Sequence, residues 1–294
     1  LLLLAGPTAS GKSALALALA GHCQGVIINA DSMQVYAELP ILSAQPTAED
    51  FNLTPHALYG HCPAERPYSV ACWREEALAC LAKAQEQGQP AIVTGGTGLY
   101  FQALIQGLSP VPAIPEDVRA GVRQLQAHGT ATLANALQAE DPAMAARLRP
   151  SDTQRLARAL EVMRATGKSL LWWQAQPGTP LQRPFQTVLL MPPREELYAR
   201  INTRLAYMAR CGAVEEAAAF PASALEYPAA KTLGLLEFRA FAEGALPFEI
   251  AFAAAQQKSR NYAKRQITWF RGQMGTDAIC PDENSALQKA LCWL

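Results

Sequence analysis

Short apolar runs alternate with longer stretches of helical periodicity along this chain. The apolar runs are LLLLA (1–5), GVIINA (25–30), PAIVTGG (90–96) and TVLLMPP (187–193). Stretches long enough for helices, such as 69–87, separate them. A run of about four to eight apolar residues is typical of a strand that is buried on both faces. The alternation therefore predicts an α/β fold in which helices wrap a parallel sheet.

Two proline-rich passages interrupt this alternation. They are GLSPVPAIP (107–115) and QAQPGTPLQRP (174–184), and the segment between them has helical periodicity without a convincing strand. Proline clusters of this kind mark boundaries between structural segments. We therefore predict an α/β core of residues 1–112 and 184–294, into which an all-helical domain of residues 113–183 is inserted.

Composition narrows the class of protein. Of the 294 residues, 50% are hydrophobic and 17% are charged, which excludes a disordered chain. The seven cysteines form no CxxC pair, which is typical of reduced thiols in a cytoplasmic protein. No apolar run approaches the roughly 18 residues that a membrane-spanning helix needs. We therefore expect no association with a membrane.

The net charge of zero conceals an uneven distribution of charge. Residues 1–146 contain 6 basic and 12 acidic residues, whereas the rest of the chain contains 19 and 13. The basic residues concentrate in the segments 147–168 and 258–271. If the second segment is a helix, three of its basic residues lie within about 40° of one another; they are Arg260, Lys264 and Arg271. Such a stripe suits the phosphates of a nucleic acid, although a solvated basic surface has the same pattern.

The first strand is followed at once by GPTASGKS, which fits the phosphate-loop pattern GxxxxGK[ST]. Glycines let backbone N–H groups converge on phosphate oxygens at a helix N-terminus, Lys12 adds a mobile positive charge, and the Ser13 hydroxyl suits Mg²⁺. The candidate phosphate-binding residues are Gly6, Pro7, Thr8, Ala9, Ser10, Gly11, Lys12 and Ser13. The pattern predicts a site for a diphosphate or triphosphate, but it does not identify the molecule that carries these phosphates. A small-molecule kinase is one alternative.

Two further turns follow predicted strands. NADSMQVY (29–36) places Asp31 at the carboxyl end of the second strand, where ligands of open α/β sheets bind. Asp31 is therefore a candidate general base, with a magnesium ligand or a helix cap as alternatives. VTGGTGLY (93–100) makes Thr97 a candidate hydroxyl donor to a substrate, although a tight glycine turn alone would explain the same motif.

Six segments of the chain, taken in order, resemble one known family. They are GPTASGKS, DSMQVY, YSVACWREEA, TGGTGLYFQALIQGLSPVP, DTQRLARALEV and AKRQITWFR, and they extend over residues 6–271. Together they resemble the tRNA dimethylallyltransferases of the bacterial MiaA type. The resemblance implies a phosphate-loop fold that binds dimethylallyl diphosphate and a tRNA anticodon stem-loop. It also implies transfer of the prenyl group to the N6 amine of the adenosine 3′-adjacent to the anticodon, in tRNAs that read codons beginning with U.

The resemblance assigns roles to individual residues. Asp31 matches the family's base, and Thr8, Thr97 and Arg204 join Lys12 and a Mg²⁺ ion on Ser13 in holding the diphosphate. Residues that would contact the target adenosine are Asp31, Ser32, Met33 and Gln34, and Thr97 is a further tRNA-binding residue. Residues that would touch the rest of the tRNA are Arg119, Gln154, Arg155, Leu156, Ala157 and Arg158, to which the charge pattern adds Arg260, Lys264 and Arg271. We expect a monomer.

The chain departs from the family pattern at two places. Gln45 occupies a position where the family has lysine, and Leu235 and Leu236 replace an aromatic and a cationic residue. We interpret these changes as lost contacts to tRNA with retained chemistry. Alternatives are transfer to free adenine nucleotides, a kinase, or a tRNA-binding homologue with impaired catalysis. The basic segments favour tRNA, since a free nucleotide needs no such surface.

Overall fold

The sheet of this protein is parallel throughout. The structure, a computed structural model, describes residues 1–293. Within them the strands are β1 (Leu2–Ala5), β2 (Val26–Asn29), β3 (His56–Ala57), β4 (Ala91–Gly95), β5 (Gln186–Leu190) and β6 (Ile279–Cys280). Their order across the sheet is β3-β2-β4-β1-β5-β6, and every neighbouring pair is parallel. The predicted α/β class is therefore confirmed, with β3 and β6 too short for the apolar pattern to reveal.

Helices cover the sheet and form a separate compact unit. The helices are α1 (Lys12–Cys23), α2 (Ala48–Leu53), α3 (Val70–Glu86), α4 (Gly98–Gln106), α5 (Glu116–Ala127), α6 (Thr130–Glu140), α7 (Pro142–Ala145), α8 (Thr153–Thr166), α9 (Leu170–Gln174), α10 (Arg194–Arg210), α11 (Ala213–Ala219), α12 (Leu235–Ala242), α13 (Phe248–Gln273) and α14 (Glu283–Leu291). Short 3₁₀ turns cover Ala222–Glu226, Pro228–Lys231 and Thr276–Ala278. Among residues 1–293 no helix is long and apolar enough to cross a membrane.

The core of the sheet unit lies on both faces of the central strands. This unit comprises Leu1–Ile105 and the chain from Gln182 onward. On one face, Leu4 and Ile92 pack with Leu15 and Leu19 of α1. Their spacing of four places both leucines on the same side of α1. In the register, Ala5 of β1 is opposite Gly95 of β4 and Leu189 of β5, so the carboxyl ends of these strands meet at one edge.

The other compact unit, Gln106–Leu181, is helical. Its core is formed by apolar residues of α5, α6 and α8, among them Val122, Leu133 and Leu160. Helix α8 begins at a side-chain cap, because the Asp152 carboxylate accepts a hydrogen bond from the Arg155 N–H at 3.2 Å. The unit begins a few residues before the predicted boundary at 113. Whether it binds tRNA stays a prediction.

Candidate active site

The phosphate loop joins β1 to α1 in a conformation that leaves amides free for an anion. Gly11 has φ +97°, a left-handed conformation that favours glycine, and it precedes the first turn of α1. No side chain caps this end of α1. The first N–H groups of a helix have no partner inside the helix and attract anions. This loop therefore has the backbone geometry of a phosphate site.

Lys12 supplies an ammonium group whose pKa is lower than that of an ordinary lysine. Its Nζ donates a hydrogen bond to the Pro7 carbonyl at 3.3 Å. The pKa of Lys12 is lowered to about 8, chiefly by burial and also by the nearby Arg204, while the charge of Asp31 acts in the opposite direction. A bound polyanion would favour the protonated form of Lys12.

Asp31 lies in a tight turn directly after β2. Its N–H donates to Asn29 Oδ1 at 2.8 Å, and its Oδ1 accepts a hydrogen bond from the Met33 N–H at 3.0 Å. The other carboxylate oxygen faces Gly96, where an added Cβ would lie 3.3 Å from Oδ2. The indole of Trp73 donates to the Asn29 carbonyl at 2.7 Å and fixes the strand end. The turn thus holds one oxygen of the carboxylate and leaves the other turned toward the neighbouring loop.

Thr97 links the turn after β4 to the turn that carries Asp31. Its N–H donates to the Ala30 carbonyl at 3.1 Å. Its Oγ1 accepts from the Ser32 N–H at 2.9 Å and donates to the Ser32 Oγ at 3.2 Å. The Thr97 hydroxyl is therefore engaged with the backbone and side chain of Ser32, and it stabilises the position of the Asp31 turn.

Arg204 of α10 contacts the phosphate loop although it is distant from the loop in the sequence. Its Nη2 donates a hydrogen bond to the Thr8 hydroxyl. Burial lowers the pKa of Arg204, while the charge of Asp31 raises it. An arginine keeps its charge under such conditions because its ordinary pKa is above about 12. The phosphate loop is thus flanked by a second fixed cation.

A cavity of 310 Å³ opens beside these groups. Its polar lining includes Thr8, Asp31, Ser32 and Arg204, while Tyr262, Arg265 and Lys231 add an aromatic ring and two cations. Its apolar lining consists of Met33, Leu42, Ile201, Leu205, Met208 and Leu233. An apolar wall with a few convergent polar groups is the usual character of a ligand site. This cavity suits a small molecule that joins an anionic group to a hydrocarbon chain.

A second, smaller cavity of 70 Å³ adjoins the phosphate loop. Ser13, Asp50 and Thr94 are among its lining residues. Thr94 is 3% exposed, and its hydroxyl has no hydrogen-bond partner within residues 1–293. No cluster of three or more histidine, cysteine or acidic ligands occurs in the described part of the chain. A metal ion here would therefore depend on hydroxyls, water and substrate oxygens, which Mg²⁺ accepts.

The structure separates Gln34 from its predicted neighbours. Asp31, Ser32 and Met33 line the 310 Å³ cavity, but Gln34 lines the smaller one. The Gln34 Nε2 donates to the carbonyls of Ser43 at 3.0 Å and Ala44 at 2.6 Å. The Gln34 amide therefore holds the following loop, which does not match its predicted role in contacting the target base.

The RNA-binding residues predicted in the helical unit are mostly on its surface. Those that are exposed are Arg119, Gln154, Arg155 and Arg158, and Ala157 is half-buried. Leu156 differs, since it is 2% exposed and belongs to the core with Leu133 and Leu160. The assignment of Leu156 to an RNA-contacting surface is therefore wrong for its side chain, because that side chain is buried.

The basic residues predicted on one face do lie on a single helix, α13. Lys264 and Arg271 are exposed. Arg260 is half-buried, because its guanidinium donates to Asn202 Oδ1 at 2.9 Å and to Gln257 Oε1 at 2.8 Å. Lys264 and Arg271 are thus accessible to a ligand, whereas the guanidinium of Arg260 is hydrogen-bonded to its neighbours.

The two departures from the family pattern have different surroundings. The Gln45 Nε2 donates to the Tyr36 carbonyl at 2.7 Å, so it supports the loop after Asp31. Leu235 is 0% exposed and packs in a hydrophobic cluster with Phe238. The interpretation of position 235 as a lost stacking contact to tRNA is wrong, because a side chain there faces the protein interior. Leu236 is exposed.

The sequence reasoning missed Gln266 and Tyr262. Gln266 Oε1 accepts from the Thr8 N–H at 2.9 Å, and its Nε2 donates to the Gly96 carbonyl at 2.8 Å. The phenol of Tyr262 hydrogen-bonds with Thr97 and Gln266, and burial raises its pKa. The available signal was spacing, since Gln266 is a polar residue at a core position of α13. The buried positions around it are Ser259, Ala263 and Phe270.

The chain was compared with known families and proteins. It matches the family model described as IPP transferase over residues 34–273, and that of isopentenyl transferase over residues 1–60. A tRNA dimethylallyltransferase of Rhodospirillum centenum is 49% identical over 278 residues, which are 93% of this chain and 88% of that protein. Another, from Parvibaculum lavamentivorans, is 50% identical over 276 residues, which are 92% of this chain and 88% of that protein.

Solved structures of related transferases are similar to this chain at lower sequence identity. The tRNA isopentenylpyrophosphate transferase of Bacillus halodurans is 30% identical, with a TM-score of 0.65 over 95% of this chain and 88% of that chain. A eukaryotic dimethylallyltransferase described as acting on tRNA is 26% identical. Its TM-score is 0.78 over 92% of this chain and 69% of that chain. The similarity thus extends over the phosphate loop, the Asp31 turn and α13.

Proposed function

Because the chain belongs to the tRNA dimethylallyltransferase family, we propose that it transfers a dimethylallyl group from dimethylallyl diphosphate to tRNA. The acceptor is the N6 amine of the adenosine 3′-adjacent to the anticodon, in tRNAs that read codons beginning with U. The observation that supports this chemistry is the 310 Å³ cavity, which Asp31, Thr8 and Arg204 line together. A base and a group that binds a leaving anion therefore share one space.

Asp31 acts as the general base in this proposal. The adenine amine is a poor nucleophile, because its lone pair is delocalised into the ring. As N6 bonds to the allylic carbon, the bond from that carbon to the diphosphate oxygen breaks, and a proton passes from N6 to the Asp31 carboxylate. The hydrogen bond from the Met33 N–H to Oδ1 orients the carboxylate, so that Oδ2 accepts the proton.

The phosphate loop stabilises the leaving group. Negative charge grows on the diphosphate as its bond to carbon breaks, and prearranged donors lower the energy of that state. The free amides at the start of α1, the Lys12 ammonium and the Arg204 guanidinium supply those donors. The Thr8 hydroxyl orients Arg204 from the loop itself.

The residues around Ser13 fit a Mg²⁺ ion. Ser13 and Thr94, whose hydroxyl has no hydrogen-bond partner within residues 1–293, line the same small cavity. Mg²⁺ is usually held by few protein oxygens together with water and substrate phosphates, so the absence of a carboxylate cluster in residues 1–293 is compatible with it. Ser13 would hold the ion, which when bound would neutralise charge on the diphosphate.

The apolar wall of the cavity suits the prenyl chain. Met33, Leu205 and Met208 offer hydrocarbon and thioether surface beside the polar groups. Such a wall excludes water, which would otherwise compete with the adenine amine for the allylic carbon.

The target adenosine must leave its stack to enter such a cavity, as bases do in other enzymes that modify them. An unpaired anticodon loop permits this movement. We assign the remaining contacts to tRNA phosphates to Arg119, Arg155 and Arg158 of the helical unit and to Lys264 and Arg271 of α13, all of which are exposed. A monomer acting in the cytoplasm, where tRNA is found, completes the proposal.

The test is mass spectrometry of tRNA nucleosides after incubation with the purified protein, Mg²⁺ and dimethylallyl diphosphate. We expect N6-dimethylallyl adenosine with the parent protein and far slower formation of it with Asp31→Asn. Replacing the donor by ATP and following labelled phosphate tests the kinase alternative, and replacing tRNA by AMP tests the free nucleotide. Unmodified tRNA that nevertheless binds the protein would indicate an impaired homologue and overturn the proposal.

A further inference from the structure

Gln266 connects two segments of the site that are far apart in the chain. Its Oε1 accepts a hydrogen bond from the Thr8 N–H at 2.9 Å, and its Nε2 donates to the Gly96 carbonyl at 2.8 Å. The side chain is 6% exposed. An added Cβ at Gly96 would lie 2.3 Å from the Gln266 Nε2, so the turn approaches the amide as closely as glycine allows.

Both segments that Gln266 joins carry groups assigned above to the reaction. The Thr8 hydroxyl accepts a hydrogen bond from Arg204, beside the phosphate loop. Gly96 precedes Thr97, whose Oγ1 receives the Ser32 N–H next to Asp31. Gln266 therefore bridges the phosphate loop and the turn after β4, which in turn contacts the segment that carries Asp31. Tyr262, one turn earlier on α13, hydrogen-bonds with both Thr97 and Gln266.

Resting on the proposed function, we propose that Gln266 is a positioning residue that sets the separation between the diphosphate and Asp31. A primary amide suits this position because it offers an acceptor at one end and a donor at the other without carrying charge. An apolar side chain would fill the space but would leave the Thr8 N–H and the Gly96 carbonyl without partners. In-line displacement depends on this separation, since a shift of about 1 Å in a reacting group costs about 100-fold in rate.

The variant Gln266→Glu tests the role of the donor alone. At pH 8 the introduced carboxylate still accepts from the Thr8 N–H but opposes the Gly96 carbonyl, so we expect single-turnover transfer to fall about 100-fold. As the pH falls, the carboxyl group gains a proton and donates to Gly96 again. The ratio of variant to parent rates should therefore rise as the pH falls toward 5.5.

The ratio to the parent removes the pH dependence that the parent site already has. The titratable or charged groups around it are Asp31, Lys12, Arg204, Tyr262 and Arg265. The ratio removes the titration that these groups show in the parent, and it retains the titration of the introduced carboxyl group together with the effect of its charge on their pKa values. Gln273→Glu, which makes the same change at the exposed end of α13, is the matched control and should follow the parent at every pH.

A second variant keeps the inference open to refutation if Gln266→Glu fails to fold. Gln266→Met preserves length without either hydrogen bond, so we expect a similar loss of rate with a ratio that does not change with pH. The KM for dimethylallyl diphosphate should change less than the rate, because the loop amides and Lys12 remain. A pH-independent ratio for Gln266→Glu, or full activity of Gln266→Met, would overturn the positioning role. An inactive parent would instead refute the proposed function.

Discussion

The guanidinium of Arg204 donates a hydrogen bond to the hydroxyl of Thr8, and so ties α10 to the phosphate loop. The two residues act on the diphosphate together in our proposal. Removing one prearranged donor from such a site typically costs about 100- to 1,000-fold in turnover. We therefore expect losses in that range for Arg204→Gln, and a smaller loss for Thr8→Val.

A double-mutant cycle tests whether the expected losses of turnover depend on this hydrogen bond between Arg204 and Thr8. Once Thr8→Val has removed the hydroxyl, Arg204→Gln should cost less than it does in the parent, because the two share one interaction. The measurement is kcat/KM for dimethylallyl diphosphate. Strictly additive losses would show that Arg204 acts without Thr8.

Asp31→Asn should separate chemistry from binding. The amide oxygen can still accept the Met33 N–H, so the turn keeps its shape, but the base is lost. General-base catalysis typically contributes about 100- to 10,000-fold, and we expect the rate of a single turnover to fall within that range. Filter binding should find tRNA affinity almost unchanged; an equal loss of both would remove the assignment of the base.

Affinity for the diphosphate should depend on the protonation of Lys12. Burial has lowered its pKa to about 8, so the free protein loses this cation as the pH rises through 8. A bound diphosphate favours the protonated form, and affinity should therefore fall above pH 8 by up to about tenfold per pH unit. Calorimetric titration at several pH values measures this. Lys12→Met should bind more weakly and lose most of that dependence, and an unchanged slope would contradict the prediction.

Thr94→Val should weaken metal binding while stabilising the protein. The Thr94 hydroxyl is buried without a partner in the described chain, so its removal should raise the free energy of unfolding by about 1 kcal/mol. If that hydroxyl orients water around the ion, the dissociation constant of Mn²⁺ in the diphosphate complex should rise about tenfold. Electron paramagnetic resonance of bound Mn²⁺ measures it, and Thr187→Val in β5 is the control. Unchanged affinity would leave Thr94 without a role at the ion.

In the helical unit, neighbouring residues of α8 should behave differently. Leu156→Ala removes a core side chain and should destabilise the unit by about 3 kcal/mol. Arg155→Ala should leave stability nearly unchanged, weaken tRNA binding and reduce its salt dependence by about one phosphate contact. Thermal unfolding and binding at several salt concentrations distinguish the two. The opposite pattern would reinstate Leu156 as an RNA contact.

The sequence predicts the sheet and the phosphate loop well, because both follow from local patterns. Four strands are apolar runs bounded by turns, and the loop is a compact motif. Strands β3 and β6 have two residues each and form only because a neighbouring strand is present to pair with them. Local patterns carry no information of that kind.

The residues around the site are harder to predict, since burial and partners depend on the whole fold. The sequence predicts a lost contact to tRNA at Leu235, but the side chain is interior, because α12 packs on α13 through that face. Gln266 lies in a segment rich in basic residues, and only the fold shows that this one amide of the segment is buried. Arg204 is 196 residues from Thr8 in the sequence, so no local pattern predicts the hydrogen bond between them.

The positions of the partners of Thr8 in the sequence determine the order in which the parts of this site are synthesised. Arg204 and Gln266 follow Thr8 in the sequence by 196 and 258 residues, so the ribosome makes them long after the phosphate loop. A nascent chain therefore carries a phosphate loop without these two partners until α10 and α13 have been made. Prematurely terminated fragments that end before α13 lack the means to hold it in shape.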